Sequence, residues 1–306
     1  MAAWWPFRCA GRMNWLERLL VFVVIPVLIA AVEFPALSKA KHLPGPKLVG
    51  VQLEFPAENL LPRVLNQALA QNTNADIFVL SEYTLNEEAG GVPPALTNWC
   101  REHGKYLVVG GKEMTPDTNY YNTAFVIGTN GAVVFKQAKC MPIQFFRDGL
   151  PAIHQSVWES PWGKIGLCIC YDLSYTRVTD ELIRQGAQML IVPTMDVEGW
   201  GRHQHELHYR VGPVRAAEYG VPIFRLASSG ISQAINRYGR VIVTAPMPGQ
   251  GAVMVADLSP HRGHLPLDRY VAPVCTGGTG AYIVWLLISL VRQNKTRPEA
   301  CASGRV

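Results

Sequence analysis

The sequence predicts an α/β protein with helices outside two stacked sheets, flanked by one or two membrane helices. Three observations carry this expectation. Strand-like and helix-like stretches alternate through the middle of the chain. The strand candidates, about ten, would strain a single open sheet. Charged residues are 17% of the 306, below the roughly 25% of an average soluble domain, and two apolar stretches lie near the ends.

The first apolar stretch, LLVFVVIPVLIAAV from Leu19 to Val32, is uncharged and extended by Trp15 and Phe34, while Arg18 and Glu33 can snorkel. A signal peptide is the rival reading, opposed by a poor small-residue cleavage pattern and by Pro26 in mid-segment. The second, AYIVWLLISLV from Ala281 to Val291, reaches spanning length once the Gly/Thr run from Cys275 is counted; a buried or interfacial helix is its rival. Arg8, Arg12 and Arg18 flank the first outer end, and Arg292, Lys295, Arg297 and Arg305 the second. The positive-inside rule then puts both termini in the cytoplasm and the intervening domain outside it, at the inner membrane on the periplasmic side. Lys39, Lys41 and Lys47 weaken that asymmetry, while Trp4, Trp5 and Trp15 fit an interfacial belt. The expected division is an anchor and linker over 1–46, a main domain over 47–272, and a membrane helix with a basic tail over 273–306.

The Pro-rich linker KAKHLPGPK ends at Lys47, where KLVGVQLEF begins as a strand. NLLPRVLNQALAQN follows as an amphipathic helix and DIFVLSE as a buried strand. PPALTNWCREHGK is a short helix closed by Gly104, and YLVVGGKE a strand. YNTAFVIGTNGAVVFKQ is a pair of strands turning at Asn130-Gly131, the strongest short hairpin signal. KIGLCICYD is a strand, VTDELIRQG a helix stopped by Gly186, and MLIVPT a strand. HELHYRVGPVRAAEYG is a helix interrupted by Pro213. IFRLAS, ISQAIN and RVIVTAP close the series as strands, with turns at Ser229-Gly230 and Tyr238-Gly239.

The net charge of +5 is modest and no basic run interleaves with aromatics in the body, so nothing supports nucleic-acid binding. Seven cysteines at irregular spacings fit neither a disulfide framework nor a zinc pattern. DIFVLSE places Glu82 where a strand meets a loop, and sites gather at the carboxyl ends of parallel strands; a solvated edge carboxylate is the plainer reading. KIGLCICYD ends at Cys170, with Cys168 one pleat earlier on the same face. Cys168 is expected buried and Cys170 at the mouth of the sheet. Between the two strands, the loop FKQAKCMPIQFF carries Lys139. A neighbouring cation lowers a thiol's pKa, a glutamate can take the thiol proton and hand it to a leaving amine, and a lysine with the N–H of Tyr171 can hold an oxyanion. Glu82, Lys139 and Cys170 together suit attack on an amide, nitrile or ester carbon through a thioester.

FVLSEY, YNTAFVIGTNGAVVFKQAK, GLCICYDLSY and RHQHELHYRVGPVRAAEYGVPIFRLASSGISQAI stand in this order, and the chain from about Lys47 to Leu258 resembles the nitrilase superfamily of carbon–nitrogen hydrolases. The last segment is most similar to the apolipoprotein N-acyltransferase branch. The resemblance implies a four-layer α-β-β-α sandwich, with Glu82 as base, Lys139 as catalytic lysine and Cys170 as nucleophile. Lys136 competes with Lys139, but only KCMPIQFF from Lys139 fits the family's spacing without a gap. Three positions depart from the pattern: Ser81 where proline is usual, Asp172 where the elbow has glutamate, and Arg147 where the branch has a second glutamate, with Asp148 and Glu159 as candidate stand-ins. The expected activity is membrane-anchored amidase-type hydrolysis, with acyl transfer from a phospholipid to an amine as the alternative. A non-catalytic binding domain of the same fold, favoured only by Arg147, is a third.

The run His203, His205, Glu206 and His208 has a metal-like composition, but His203 and His205 do not share a helix face, so no zinc site and no cofactor is expected. Arg215 is expected in a structural ion pair. The Asn294-Lys295-Thr296 sequon is read as chance. Expected partners are a small amide or acyl donor, the lipid bilayer and a second copy of the chain.

Overall fold

The computed structural model describes residues 44–85 and 91–295, together with residues 15, 22 and 23. The first apolar stretch otherwise lies outside the described residues. The chain divides into two compact units, one up to Leu265 and one from Pro266 onward.

In the first unit, β1 (Lys47–Val51) leads through a 3-10 turn to α1 (Leu61–Gln71) and β2 (Ile77–Leu80). Leu61, Leu65 and Ala68 recur at helical spacing and form the buried face of α1, and Pro62 sits in its first turn. α2 (Pro94–His103) ends at Gly104 as expected. β3 (Tyr106–Met114), β4 (Tyr120–Ile127) and β5 (Val133–Ala138) form an antiparallel meander. The β4–β5 turn is closed by Gly131 at φ +78°, a value only glycine adopts without strain.

The second half runs β6 (Val157–Ser160), β7 (Gly163–Leu167), a 3-10 turn over Cys170–Ser174, α3 (Thr176–Arg184) and β8 (Met189–Thr194). α4 (Gly201–His208), α5 (Val211–Tyr219), β9 (Ile223–Ala227), β10 (Ser232–Ile235), β11 (Val241–Ala245) and β12 (Val253–Asp257) complete it. The expected helix over 205–220 is two helices. The break falls at Tyr209–Arg210 and not at Pro213, which occupies the first turn of α5, where its missing N–H costs nothing. β6 and β12 were not expected: β6 has four residues, and β12 lies at a sheet edge, half-exposed after a Gly/Pro-rich turn.

Among the described residues the strands form two six-stranded sheets, ordered β12-β1-β2-β3-β4-β5 and β11-β10-β9-β8-β7-β6. Each has a parallel centre, β1-β2-β3 in one and β7-β8-β9 in the other, with antiparallel flanks. One apolar layer joins the sheets, with Ile77, Val79 and Val126 of the first against Leu167, Ile191 and Phe224 of the second. A second lies under α1 and α2, and a third under α3 and α5. The fold is thus the expected α-β-β-α sandwich. Each large apolar side chain removed from water in these layers contributes about 1.5–3 kcal/mol.

In the second unit, α6 (Asp268–Lys295) contains Pro273. Its segment Asp268–Arg292 has 25 residues and contains an 18-residue window of mean hydropathy 1.8, long and apolar enough to cross a membrane.

Candidate active site

The two parallel centres end at the same place, and the predicted residues meet there. Glu82 lies two positions past β2, Lys139 one past β5, and Cys170 three past β7. All three are buried. Lys139 Nζ donates to Glu82 Oε1 at 2.8 Å and to Asp148 Oδ2 at 2.7 Å. Cys170 Sγ lies 3.7 Å from the carbonyl oxygen of Met195, whose own N–H donates to Glu82 Oε2 at 2.7 Å. Met195, just past β8, therefore holds the thiol with one backbone group and the carboxylate with the other. Lys136, the rival lysine, lies on the surface paired with Glu113.

The pleat relation expected for the cysteines does not hold. The strand ends at Leu167, and Cys170 opens the 3-10 turn at φ +50°, in the left-handed region. The turn re-aims the chain, so Cys168 packs in the layer under α3 and α5 while Cys170 faces the layer between the sheets. Tyr171, the next residue, lies in the first turn, where a backbone N–H has no intrahelical acceptor. Tyr83, after Glu82, is also left-handed at φ +55°. Backbone strain thus adjoins two of the predicted residues.

Asp148 answers the question raised by Arg147. Its carboxylate accepts from Lys139, from Tyr83 Oη at 2.7 Å, from Asn122 Nδ2 at 2.9 Å and from the Ile143 N–H at 2.8 Å. Arg147 itself is exposed, with its guanidinium against the Tyr120 ring. Glu159 pairs with Lys164 on the surface. Sequence reasoning did not single out Asn122, whose Nδ2 also donates to Glu82 Oε1 at 2.7 Å. Its signal was an amide inside the otherwise apolar strand YNTAFVI. Ser81, in place of proline, donates to the Leu53 carbonyl oxygen at 2.7 Å. Gly110 on β3 was missed as well: a Cβ there would stand 2.6 Å from Glu82 Cα and 2.8 Å from the Ser81 carbonyl oxygen.

Asp172 accepts the N–H groups of Ile169, Cys140 and Met141 at 2.7–3.2 Å, tying the loop after Lys139 to the turn of Cys170. Burial pushes this carboxyl up to about 6, against Lys139 and those three N–H groups. Burial also raises the Cys170 thiol well above its usual range, reinforced by Glu82 and opposed by Lys139, so the resting sulfur is protonated. Burial works against the Lys139 ammonium too, but its neighbours, Glu82 foremost and Cys170 and Asp148 after it, outweigh that and keep the lysine charged. Arg215, in the expected ion pair with Glu218, donates to the carbonyls of Leu173 and Ser174 at the end of the turn.

A cavity of about 830 Å³ opens at Cys170. Its walls include Ile143, Phe146, Tyr171, Tyr175, Trp200 and Leu207, with His208 among the few polar groups. No cluster of metal-ligating residues occurs among the described residues.

In fold and in the arrangement of its strand ends this is a nitrilase-like enzyme. Residues 67–263 match the family described as carbon-nitrogen hydrolase, and the chain belongs to it. It is 26% identical over 185 residues to the deaminated glutathione amidase of Dictyostelium discoideum, covering 52% of this chain and 62% of the relative. It is 28% identical over 243 residues to the apolipoprotein N-acyltransferase of Brucella suis, covering 68% of this chain and 42% of the relative. The chain thus spans about half the length of the curated relatives it matches. The crystal structure of a Saccharomyces cerevisiae member of branch 10 of the nitrilase superfamily superposes with a TM-score of 0.62 at 19% identity, over 73% of this chain and 93% of that one.

Proposed function

We propose that the protein is a membrane-anchored, amidase-type hydrolase of carbon–nitrogen bonds with Cys170 as nucleophile. Glu82 takes the thiol proton as sulfur bonds to the carbonyl carbon, while Lys139 and the Tyr171 N–H stabilise the oxyanion. The C–N bond breaks as the amine leaves with that proton, and a thioester remains on Cys170. Water then adds, with Glu82 again accepting a proton, and the C–S bond breaks to release the carboxylic acid and restore the thiol.

The observation that carries this reading is the buried ammonium of Lys139 between two carboxylates beside a cysteine. Each buried ion costs several kcal/mol to desolvate, and a binding domain would gain nothing from keeping all three. With Asp148 on Lys139, Arg147 no longer favours a non-catalytic domain.

Intact-protein mass spectrometry after exposure to short acyl amides tests the assignment. An acyl adduct should form on the parent chain and vanish in Cys170→Ala. Iodoacetamide should label Cys170, which lines the cavity beside a carboxylate able to take its proton, and spare Cys168 and Cys100, which pack in apolar layers away from it. Turnover surviving in Cys170→Ala would refute the mechanism.

The apolar cavity favours a second reading, acyl transfer from a lipid donor to an amine. Both reactions share the thioester, so only its acceptor separates them. Complementation of a bacterial strain depleted of its apolipoprotein N-acyltransferase decides: growth restored by this chain, and lost with Cys170→Ala, selects acyl transfer.

A further inference from the structure

His208, the last residue of α4, lies on the cavity wall with Cys170. Its Nδ1 is 2.7 Å from Asp196 Oδ1. Asp196 is buried and held from several sides: Oδ2 accepts from Arg225 Nη2 at 2.6 Å, and its N–H donates to Ser228 Oγ at 3.0 Å. Arg225, itself buried, is fixed by a 2.7 Å bond to the Ile231 carbonyl oxygen. Although burial opposes ionisation, Arg225 and the bond from His208 hold the Asp196 carboxyl at about 2. It is therefore an ionised, acceptor-only group.

An ionised carboxylate can only accept, so Nδ1 carries a hydrogen. In the neutral imidazole Nε2 then carries the lone pair, and it makes no hydrogen bond among the described residues. Asp196 directly follows Met195, which holds both Cys170 and Glu82, so this acceptor is fixed relative to the reacting sulfur. The remaining wall is mostly aromatic and aliphatic, and suits an apolar acyl group.

We propose that His208 determines substrate specificity: its Nε2 accepts a hydrogen bond from the N–H of a carboxamide whose apolar acyl group fills the cavity. The site thereby favours carboxamides over the corresponding esters. An ester offers only lone pairs at that point and leaves the cavity-wall acceptor without a partner, a difference of about tenfold in affinity for one hydrogen bond.

This rests on Cys170 being the nucleophile, so the test separates the two. Calorimetric titration of the full-length Cys170→Ala protein with hexanamide and methyl hexanoate needs no turnover. Hexanamide should bind about tenfold more tightly. Adding His208→Phe should erase that preference while methyl hexanoate binding stays within about twofold, and His208→Gln, which keeps an acceptor, should restore at least part of it. His208→Met serves instead if the Phe variant does not fold. A preference that survives loss of the imidazole, equal weakening of both probes, or failure of hexanamide to bind overturns the proposal. Failure of the nucleophile assignment appears separately, as the absence of an acyl adduct on the parent chain.

Discussion

Cys170 does two jobs that pull against each other. Its sulfur must reach the space between the sheets, and its backbone must leave a strand and start a turn within one residue. The left-handed φ of +50° reconciles them, at a cost of roughly 1–2 kcal/mol for any residue with a Cβ. Replacing the cysteine should therefore show a reversal of the usual order. Cys170→Gly should be at least as stable as Cys170→Ala, by about 1 kcal/mol, because glycine occupies this region without strain. Urea denaturation of the two variants measures the difference. Alanine being clearly the more stable would mean that the turn is not strained at Cys170. Asp148 makes a related point: one carboxylate receives four donors, so its place in the chain matters less than its place around Lys139.

At the scale of elements, the site depends on loops held to one another more than on any single strand. Asp172 stitches the Lys139 loop to the Cys170 turn, and β3 presses against the turn that carries Glu82. The second contact is possible only because residue 110 is glycine. A Cβ there would meet Glu82 Cα and the Ser81 carbonyl, backbone atoms with no rotamer to escape into. Gly110→Ala should destabilise the fold by about 1–3 kcal/mol and lower kcat on the order of 100-fold through displacement of the carboxylate. Thermal unfolding and steady-state kinetics of the purified variant check both. Retention of full activity would show that Glu82 needs no such exact seat.

For the whole molecule, the two sheets share one plan, a parallel trio flanked by antiparallel strands, and the site lies where the two trios end. Glu82, Asn122 and Lys139 come from one sheet; Cys170 and Met195 come from the other. Cooperative stability of the sandwich and assembly of the site are therefore the same event. The proposed membrane anchoring makes a separate prediction. With Arg292 and Lys295 at the carboxyl end of α6, a reporter fused after Val306 should be active in the cytoplasm and one inserted at residue 45 should not. Cytoplasmic activity at residue 45 contradicts the orientation.

What the sequence determined by itself is what neighbouring residues can signal. Apolar runs such as IFVL and MLIVPT, the Asn130-Gly131 turn and the Gly104 stop appear as elements where they were expected, because each depends on a handful of adjacent residues. Glu82, Lys139 and Cys170 stood out because each ends or follows such a run. Tertiary structure alone decided which groups surround them. Glu82 meets Met195 across 113 positions and Asn122 across 40, and Asp196 meets Arg225 across 29. No local pattern encodes these pairs, since they form only when two sheets stack and bring distant strand ends to a common edge. The split between Cys168 and Cys170 has the same origin: pleat parity holds within a strand, and the turn that re-aims the sulfur begins where the strand has already ended.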